Sequence, residues 1–190
     1  MQFNRKQIFS IFISTKHNSI LTSSDITQMM KNEYLIDKRA FHIIADESSI
    51  NADIKEVVTA FEGSKSIIVK HLEHWNSAIQ DKGKALGSSP DVHLYLSPVS
   101  GTSFDWHADD RDVFILMQKG EKLFEVEEPD FSISRYFLTE GSELFIPYGA
   151  RHRAIPSDVI SWHLSFGFWP DNLTVVDGYQ TLDSNLDLKL

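Results

Sequence analysis

The sequence predicts a mainly β domain with flanking helices, and three observations lead to this fold class. After Pro90, short segments rich in β-branched and aromatic residues follow one another, separated by Gly, Pro and Asp. This pattern is typical of β-sandwiches and barrels, including the jelly roll. Before Pro90, strand-like segments alternate with segments of helical periodicity. The 190 residues, 42% of them hydrophobic, fit one globular domain with a sizeable core.

The first part of the chain, residues 1–90, is expected to mix helices and strands that buttress one sheet. Ser23-Ser24-Asp25 can cap a helix, and Gly63 can end another. Residues 82–90, KGKALGSSP, have the composition of a loop. The predicted strands are 8–14, 41–45 and 66–69, and the predicted helices are 25–33, 54–61 and 75–84.

The second part is predicted to be a β-rich core. Its expected strands are 92–97, 104–109, 112–118, 121–127, 134–138, 143–146, 152–155 and 159–168. No linker-like segment separates the two parts, so we expect a single domain over residues 1–190 with its core over 91–170. We expect the polar tail, residues 171–190, to pack as an edge element or to fray.

Composition and charge argue against several classes of function. The net charge of −9 argues against nucleic-acid binding, which needs clustered Lys and Arg, but is compatible with a basic peptide substrate. The chain has no Cys, which excludes disulfides, zinc–thiolate sites and thiol nucleophiles. No apolar run approaches the ~20 residues of a membrane span. The apolar segment 8–13 is too short for a signal peptide, so a cytoplasmic protein is expected.

His107 and Asp109 are the first candidate metal ligands. Side chains alternate between the two faces of a β-strand, so these two project the same way and Asp110 points to the opposite face. An imidazole and a carboxylate on one face are two-thirds of a 2-His-1-carboxylate site, which suits non-haem Fe(II). The spacing H-x-D alone is common, and a chance occurrence is the alternative.

His152 is the candidate third ligand. A Gly141 turn, the short apolar strand 144–146 and a Pro147-x-Gly149 turn would deliver its imidazole at the start of the next strand. The alternative is a surface histidine in a basic patch with Arg151 and Arg153.

Lys122 is the candidate binding residue for an anionic co-substrate. It lies between Glu121 and Leu123 in a strand that ought to face a core, where a cation is costly unless it has an anionic partner. A co-substrate carboxylate would serve. The alternative is that Lys122 points outward and is neutralised by Glu121 or Glu125.

These segments resemble the JmjC-type cupin oxygenases, and are most similar to the branch of the ribosomal-protein hydroxylases. The first family motif is matched by His107, Asp109, Asp112, Val113, Phe114, Gly120 and Lys122. The second is matched by Gly141, Leu144, Phe145, Ile146, Pro147, Gly149 and His152. The resemblance covers residues 91–166 and implies a double-stranded β-helix, or jelly roll, that uses Fe(II), 2-oxoglutarate and O₂.

The resemblance also implies roles for individual residues. It implies His107, Asp109 and His152 as catalytic iron ligands, and Lys122 as the partner of the distal carboxylate of 2-oxoglutarate. Tyr95 matches a family tyrosine that assists Lys122, and Ser97 stands where a Thr or Ser is common. His93 stands where the ribosomal hydroxylases often have an Asn near the co-substrate. His163, on the last core strand, either lines the pocket or is a hydrogen-bonded core residue.

Several other residues are interpreted as structural. His71 and His74 could form a metal pair, but no third ligand is near in the sequence. Asp110 and Asp112 are interpreted as structural or solvated. The aromatic residues Trp106, Trp162, Phe166 and Phe168 could wall a pocket, but core packing is the simpler role.

The predicted function is oxidation of a C–H bond by an Fe(II)- and 2-oxoglutarate-dependent hydroxylase. The substrate is expected to be a peptide or protein side chain, with a small molecule as the alternative, and hydroxylation is not separated from demethylation. The competing functions are a cupin metalloenzyme of non-oxidative type, an isomerase or lyase, and a degenerate cupin that only binds a partner. A homodimer is the commonest assembly for such chains.

Overall fold

The computed structural model describes residues 11–13, 18–45 and 48–169. Its helices are α1 (Ser23–Met29), α2 (Glu33–Asp37), α3 (Ile54–Glu62) and α4 (Ser77–Leu86). Its first six strands are β1 (Ile11–Ile13), β2 (Phe41–Ala45), β3 (Ser48–Asn51), β4 (Ile67–Val69), β5 (Asp91–Ser97) and β6 (His107–Ala108). The other six are β7 (Asp112–Lys119), β8 (Glu121–Glu127), β9 (Ile133–Thr139), β10 (Glu143–Ile146), β11 (Arg151–Pro156) and β12 (Ser161–Phe168).

The strands form two antiparallel sheets. The large sheet has the order β1-β10-β7-β12-β5-β4-β2-β3, and the small sheet has the order β6-β11-β8-β9. Strands that are distant in sequence are therefore neighbours in space, as in a jelly roll. The prediction of a mainly β fold with flanking helices is confirmed.

Strand β7 shows how the sequence divides the core in two. Its residues DVFILMQ are all buried, because the strand is covered on both faces. Phe114 and Leu116 belong to the core on the helical side of the large sheet. Val113, Ile115 and Met117 belong to a second core, shared with Phe124 and Val126 of β8 in the small sheet and so lying between the sheets. Because side chains alternate between the two faces of a strand, only every second residue of β7 can face a cavity between the sheets.

The helices cover the outer face of the large sheet. Their buried residues, which include Met29, Leu35, Val57, Ile79 and Leu86, pack in the same core as Leu94 and Leu164 of the sheet. Helix α4 is fixed there by Lys82, whose Nζ lies 2.6 Å from a carboxylate oxygen of the buried Glu143 on β10. No helix among the described residues is long and apolar enough to cross a membrane.

Several predicted boundaries in the first part are wrong. In place of the one helix expected over 25–33, the structure has two helices: α1 ends at Met29 and α2 begins at Glu33. The first is capped by Thr22, whose side chain accepts from the backbone N–H of Asp25 in a capping box. Residues 82–86 are helical, not loop. Gly83 lies inside α4 and does not break it. Its missing side chain makes room for Pro90, because a Cβ at this position would lie 2.9 Å from Pro90 Cγ. The polar edge strand β3 was not predicted.

The predicted strand 104–109 is shortened to His107–Ala108. The other strands of the second part match within two residues. Of the strand expected over 8–14, Ile11–Ile13 forms β1, and the remaining residues lie outside the described range, as do those of the tail after Trp169.

Candidate active site

The structure brings His107, Asp109 and His152 together, although they come from distant segments. One ligand atom from each lies within 4.8 Å of the others. Strands β6 and β11 pair so that His152 is opposite His107, and the backbone N–H of Gly149 donates to the carbonyl of Asp109 (3.1 Å). Within residues 18–45 and 48–169, this is the one group of three or more His, Asp or Glu side chains that could hold a metal ion.

Backbone carbonyls fix the orientation of both imidazoles. His107 Nδ1 lies 2.8 Å from the carbonyl of Asp105, and His152 Nδ1 lies 3.0 Å from the carbonyl of Ala150. A carbonyl only accepts, so each Nδ1 carries the proton and donates. The lone pair of each Nε2 is then free to bind a metal, which is how second-shell bonds select the tautomer of a ligating histidine.

The environment of His152 favours its neutral form. Burial is the largest influence that lowers its pKa, and a charge on His107 would lower it further. The Ala150 carbonyl and the Asp109 carboxylate act in the opposite direction. Asp109 Oδ2 lies 3.6 Å from His152 Nε2. The alternative of a surface histidine is therefore wrong, because the side chain of His152 is only 7% exposed.

Lys122 is buried between the sheets, with a relative exposure of 2%. Its Nζ lies 3.0 Å from Nδ1 of His163, and burial lowers the pKa of Lys122 to about 7. The alternative that Glu125 neutralises Lys122 is wrong. That carboxylate is engaged on the opposite face of β8, where it accepts from Arg135 and from Arg153, both at 2.8 Å.

His163 and Tyr95 stack beside Lys122. Their ring centroids are 4.9 Å apart with an interplanar angle of 5°, because the two residues are cross-strand partners on β12 and β5. Burial and the nearby Lys122 lower the pKa of His163 well below its usual value. Burial raises the pKa of Tyr95 far above its usual value, with Asp109 contributing. Tyr95 therefore stays a neutral hydroxyl donor at all ordinary pH values.

One open cavity between the sheets joins these groups. Its volume is about 520 Å³ including the mouth. The three candidate ligands and the candidate co-substrate residues line it together: His107, Asp109, His152, Lys122, Tyr95, Ser97 and His163. Ser97 is buried, and its hydroxyl accepts from that of Ser66 at 3.0 Å.

Comparison with known proteins places this arrangement in a family. A family model described as "JmjC domain" matches residues 68–175, more than half of the chain. The chain belongs to the JmjC domain family. The resemblance inferred from the sequence is thus confirmed.

Two kinds of relative are similar to this JmjC domain. A bifunctional lysine-specific demethylase and histidyl-hydroxylase, NO66 from Dictyostelium discoideum, is 31% identical over 105 residues, which covers 43% of this chain and 20% of the relative. Escherichia coli YcfD, a ribosomal oxygenase, shares the fold. Its complex with cobalt and succinic acid has a TM-score of 0.67 at 16% identity, covering 84% of this chain and 47% of YcfD. A YcfD complex with cobalt and 2-oxoglutarate has a TM-score of 0.63 at 15% identity. The chain therefore spans about a fifth of the curated relative and about half of YcfD.

His93 lies outside the lining of the cavity in this JmjC domain. It is on the same face of β5 as Tyr95, but its Nε2 lies 3.2 Å from Oδ1 of Asp91, and it lines a separate surface depression. The expectation that His93 contacts the co-substrate is therefore not supported by its position.

Thr102 and Phe104 line the cavity but were not anticipated as site residues. The Thr102 hydroxyl accepts from the backbone N–H of Ser66 (3.0 Å) and donates to the carbonyl of Ile44 (3.1 Å). Phe104 meets the His107 ring edge-on at 5.5 Å. The strand predicted over 104–109 begins only at His107 in the structure, so strand alternation does not predict where Thr102 and Phe104 point.

The other residues considered from the sequence are structural. Trp162, Phe166 and Phe168 are buried in the core beneath the helices. Asp112 is buried and accepts from the backbone N–H of Tyr148 at 2.8 Å, which holds the turn before His152.

Trp106, His71 and His74 lie nearer the surface. Trp106 packs under the guanidinium of Arg153, 5.0 Å from its ring centroid. His71 and His74 form no three-residue metal group within the described ranges.

Proposed function

We propose that this JmjC domain is an Fe(II)- and 2-oxoglutarate-dependent oxygenase that hydroxylates a C–H bond of a peptide or protein side chain. The observation that carries the proposal is the position of Lys122. A buried lysine for which the described residues supply no carboxylate partner opens into the same cavity as a His-Asp-His group. A buried cation needs an anion, and a dicarboxylate co-substrate fits that need.

The donor set fits Fe(II). Two imidazole nitrogens and one carboxylate oxygen form the 2-His-1-carboxylate set that non-haem Fe(II) oxygenases use, and this set leaves coordination positions open. Two ligands that each lie ~2.1 Å from one ion are at most ~4.2 Å apart. The 3.6 Å between His152 Nε2 and Asp109 Oδ2 is within that reach. The full set of three ligand atoms lies within 4.8 Å, slightly more than that reach, so the side chains would draw together slightly around an ion. The chemistry that Fe(II) supplies there is oxidation of a C–H bond with O₂, coupled to conversion of 2-oxoglutarate into succinate and CO₂.

The protein residues have separate tasks in this proposal. His107, Asp109 and His152 hold the ion. Lys122 holds the distal carboxylate of 2-oxoglutarate as a charge-assisted hydrogen bond, which is stronger than a neutral one. The His163 ring positions the Lys122 ammonium, since its Nδ1 accepts from Nζ.

Tyr95 and Phe124 complete this end of the cavity. The Tyr95 hydroxyl, kept neutral by burial, is a second donor to the co-substrate. Phe124 also lines the cavity and meets the His163 ring edge-on at 5.5 Å. The two rings thus hold His163 from both sides, Tyr95 by stacking and Phe124 by its edge.

The names of the relatives favour a protein substrate. One is named as a histidyl-hydroxylase and lysine-specific demethylase, and the other as a ribosomal oxygenase. Both names refer to proteins or protein side chains. Cytoplasmic location and a homodimeric state stay predictions.

The test is a co-substrate assay with matched variants. Protein reconstituted with Fe(II) should convert 2-oxoglutarate into succinate. Lys122→Ala should weaken 2-oxoglutarate binding by about 30-fold or more, since removing one partner of a buried charge pair costs at least ~2 kcal/mol, while metal affinity stays unchanged. Asp109→Ala should lose metal binding.

Asp110→Ala is the control, because Asp110 is exposed and pairs with Arg111. Metal binding and succinate formation in this variant should equal those of the wild type. Unchanged 2-oxoglutarate affinity in Lys122→Ala would refute the proposal and favour a non-oxidative metalloenzyme. Full metal affinity in both His107→Ala and His152→Ala would show that the metal site is wrong.

A further inference from the structure

A basic depression lies on the large sheet beside the active-site cavity. It is lined by six basic or potentially basic side chains: Lys38, Arg39, His42, Lys70, His71 and His93. Lys38, Arg39 and Lys70 carry fixed positive charge, whereas burial and the nearby Lys70 lower the pKa of His42. These three cations contrast with the net charge of −9 for the whole chain. The polypeptide fixes part of its rim, because Asn51 Nδ2 donates to the carbonyl of Arg39 at 2.6 Å.

The lysines and the arginine of the basic depression make no ion pairs within the described residues, although the Lys38 ammonium lies 5.8 Å from the ring centroid of Tyr34. The one acidic residue in the lining, Asp91, is engaged by His93 at 3.2 Å. Unpaired cations grouped in a concave site attract an anion from outside.

The basic depression and the active-site cavity share a wall. The rings of His93 and Tyr95 are 6.4 Å apart, and His93 lines the depression while Tyr95 lines the cavity. Ser165, the cross-strand partner of His93, also lines the cavity. An extended chain rises about 3.3 Å per residue, so side chains ~2–4 positions from a residue in the cavity would reach the depression.

We propose that the basic depression binds an acidic segment of the peptide substrate, with Asp or Glu side chains next to the residue that is oxidised. This inference rests on the proposed function, because it places the rest of the substrate relative to the cavity. A peptide is favoured over nucleic acid for a physical reason. The basic surface is confined to one depression on an acidic protein, whereas a nucleic-acid strand needs an extended basic track.

The binding test uses a fluorescein-labelled octaglutamate peptide and fluorescence anisotropy at low ionic strength. The wild-type protein is compared with Lys38→Glu/Lys70→Glu. Lys55→Glu/Lys84→Glu is the matched control, because it changes the net charge equally but on the exposed surfaces of α3 and α4. The milder Lys38→Gln/Lys70→Gln preserves the test if charge reversal disturbs folding.

We expect the affinity for octaglutamate to fall about tenfold in the Lys38→Glu/Lys70→Glu variant and about threefold in the glutamine variant, and to change less than about twofold in the control. Absence of binding to the wild-type protein would overturn the inference, as would an equal loss in the control. A single-stranded oligodeoxythymidine of equal length that binds more tightly than octaglutamate, and is lost in the same variants, would also overturn it.

Calorimetric titration of 2-oxoglutarate with Fe(II) on the same preparations separates the two proposals. If peptide binding follows the expected pattern but the wild-type protein binds no 2-oxoglutarate, the proposed function is wrong. The inference that the depression binds an acidic peptide is then still supported. If 2-oxoglutarate binds but octaglutamate does not, only the inference about the depression fails.

Discussion

Replacing Lys122 by Met should stabilise the protein whenever the co-substrate is absent. The ammonium is fully buried, and its described hydrogen bond goes to a neutral ring nitrogen of His163. The fold therefore holds a desolvated cation without the anion that would compensate it. Methionine has a similar length and no charge, so it removes this penalty without leaving a large cavity.

The magnitude follows from the pKa of Lys122, which burial lowers from 10.5 to about 7. At ~1.4 kcal/mol for each pH unit, this difference corresponds to a penalty of up to about 5 kcal/mol. Between these two values the unfolded chain binds more protons than the folded one, so stability rises with pH. The penalty is complete below pH about 7 and disappears above pH 10.5. Loss of the bond to His163 offsets ~1 kcal/mol of the gain.

The assay is urea unfolding of metal-free protein at several pH values between 6 and 10. The free energy of unfolding of Lys122→Met should exceed that of the wild type by about 2–4 kcal/mol at pH 6, stay near that difference up to pH about 7 and then approach the wild-type value towards pH 10. Lys84→Met, at a side chain that is 75% exposed, should show no such pH dependence. The reasoning is refuted if Lys122→Met is less stable than the wild type at pH 6, or if the difference does not depend on pH.

Three further changes test the fold. Gly120→Ala should lower the free energy of unfolding by more than about 2 kcal/mol, because the residue has φ +70° and a Cβ there would lie 2.5 Å from the carbonyl oxygen of Ile160; thermal unfolding measures this. Glu143→Gln should destabilise by about 1–3 kcal/mol, because the Lys82 ammonium, whose side chain is 22% exposed, keeps only a neutral amide acceptor in place of the carboxylate. The double change Glu143→Gln/Lys82→Met should recover part of that loss in the same urea titration. Thr22→Ala should cost about 1 kcal/mol through the lost capping box of α1, and an unchanged unfolding midpoint would contradict the assigned cap.

The positions of the strands after Pro90 could be predicted better than the helix ends. The run 112–118 could be recognised as a strand because it is apolar on both faces, and the structure covers it on both faces. The cap of α1 was misplaced because Thr22, Ser23 and Ser24 are all good N-caps. What decides between them is Asp25 three residues after Thr22, which completes the capping box.

For the candidate site, strand alternation correctly places His107 and Asp109 on the same side of the chain. It does not explain what holds Asp109 in that position. The strand around His107 is two residues long, so Asp109 is held by the N–H of Gly149 rather than by sheet pairing. Alternation places His93 and Tyr95 on the same face of β5, yet only Tyr95 reaches the cavity. The sequence specifies a face, whereas the position along a strand relative to the opposing sheet depends on tertiary packing.

Lys122 connects the stability of the domain to its proposed chemistry. A cation that destabilises the empty fold by several kcal/mol gives that free energy back when a carboxylate binds beside it, so the same burial that lowers its pKa strengthens the co-substrate contact. Binding of 2-oxoglutarate should therefore raise the melting temperature of the wild type by more than that of Lys122→Met, since the free energy of stabilisation grows with the logarithm of the ratio of ligand concentration to Kd. His107, Asp109 and His152 alone would not distinguish an oxygenase from another metalloenzyme. The buried ammonium in the same cavity favours a reaction with an anionic partner, which the proposed 2-oxoglutarate chemistry supplies.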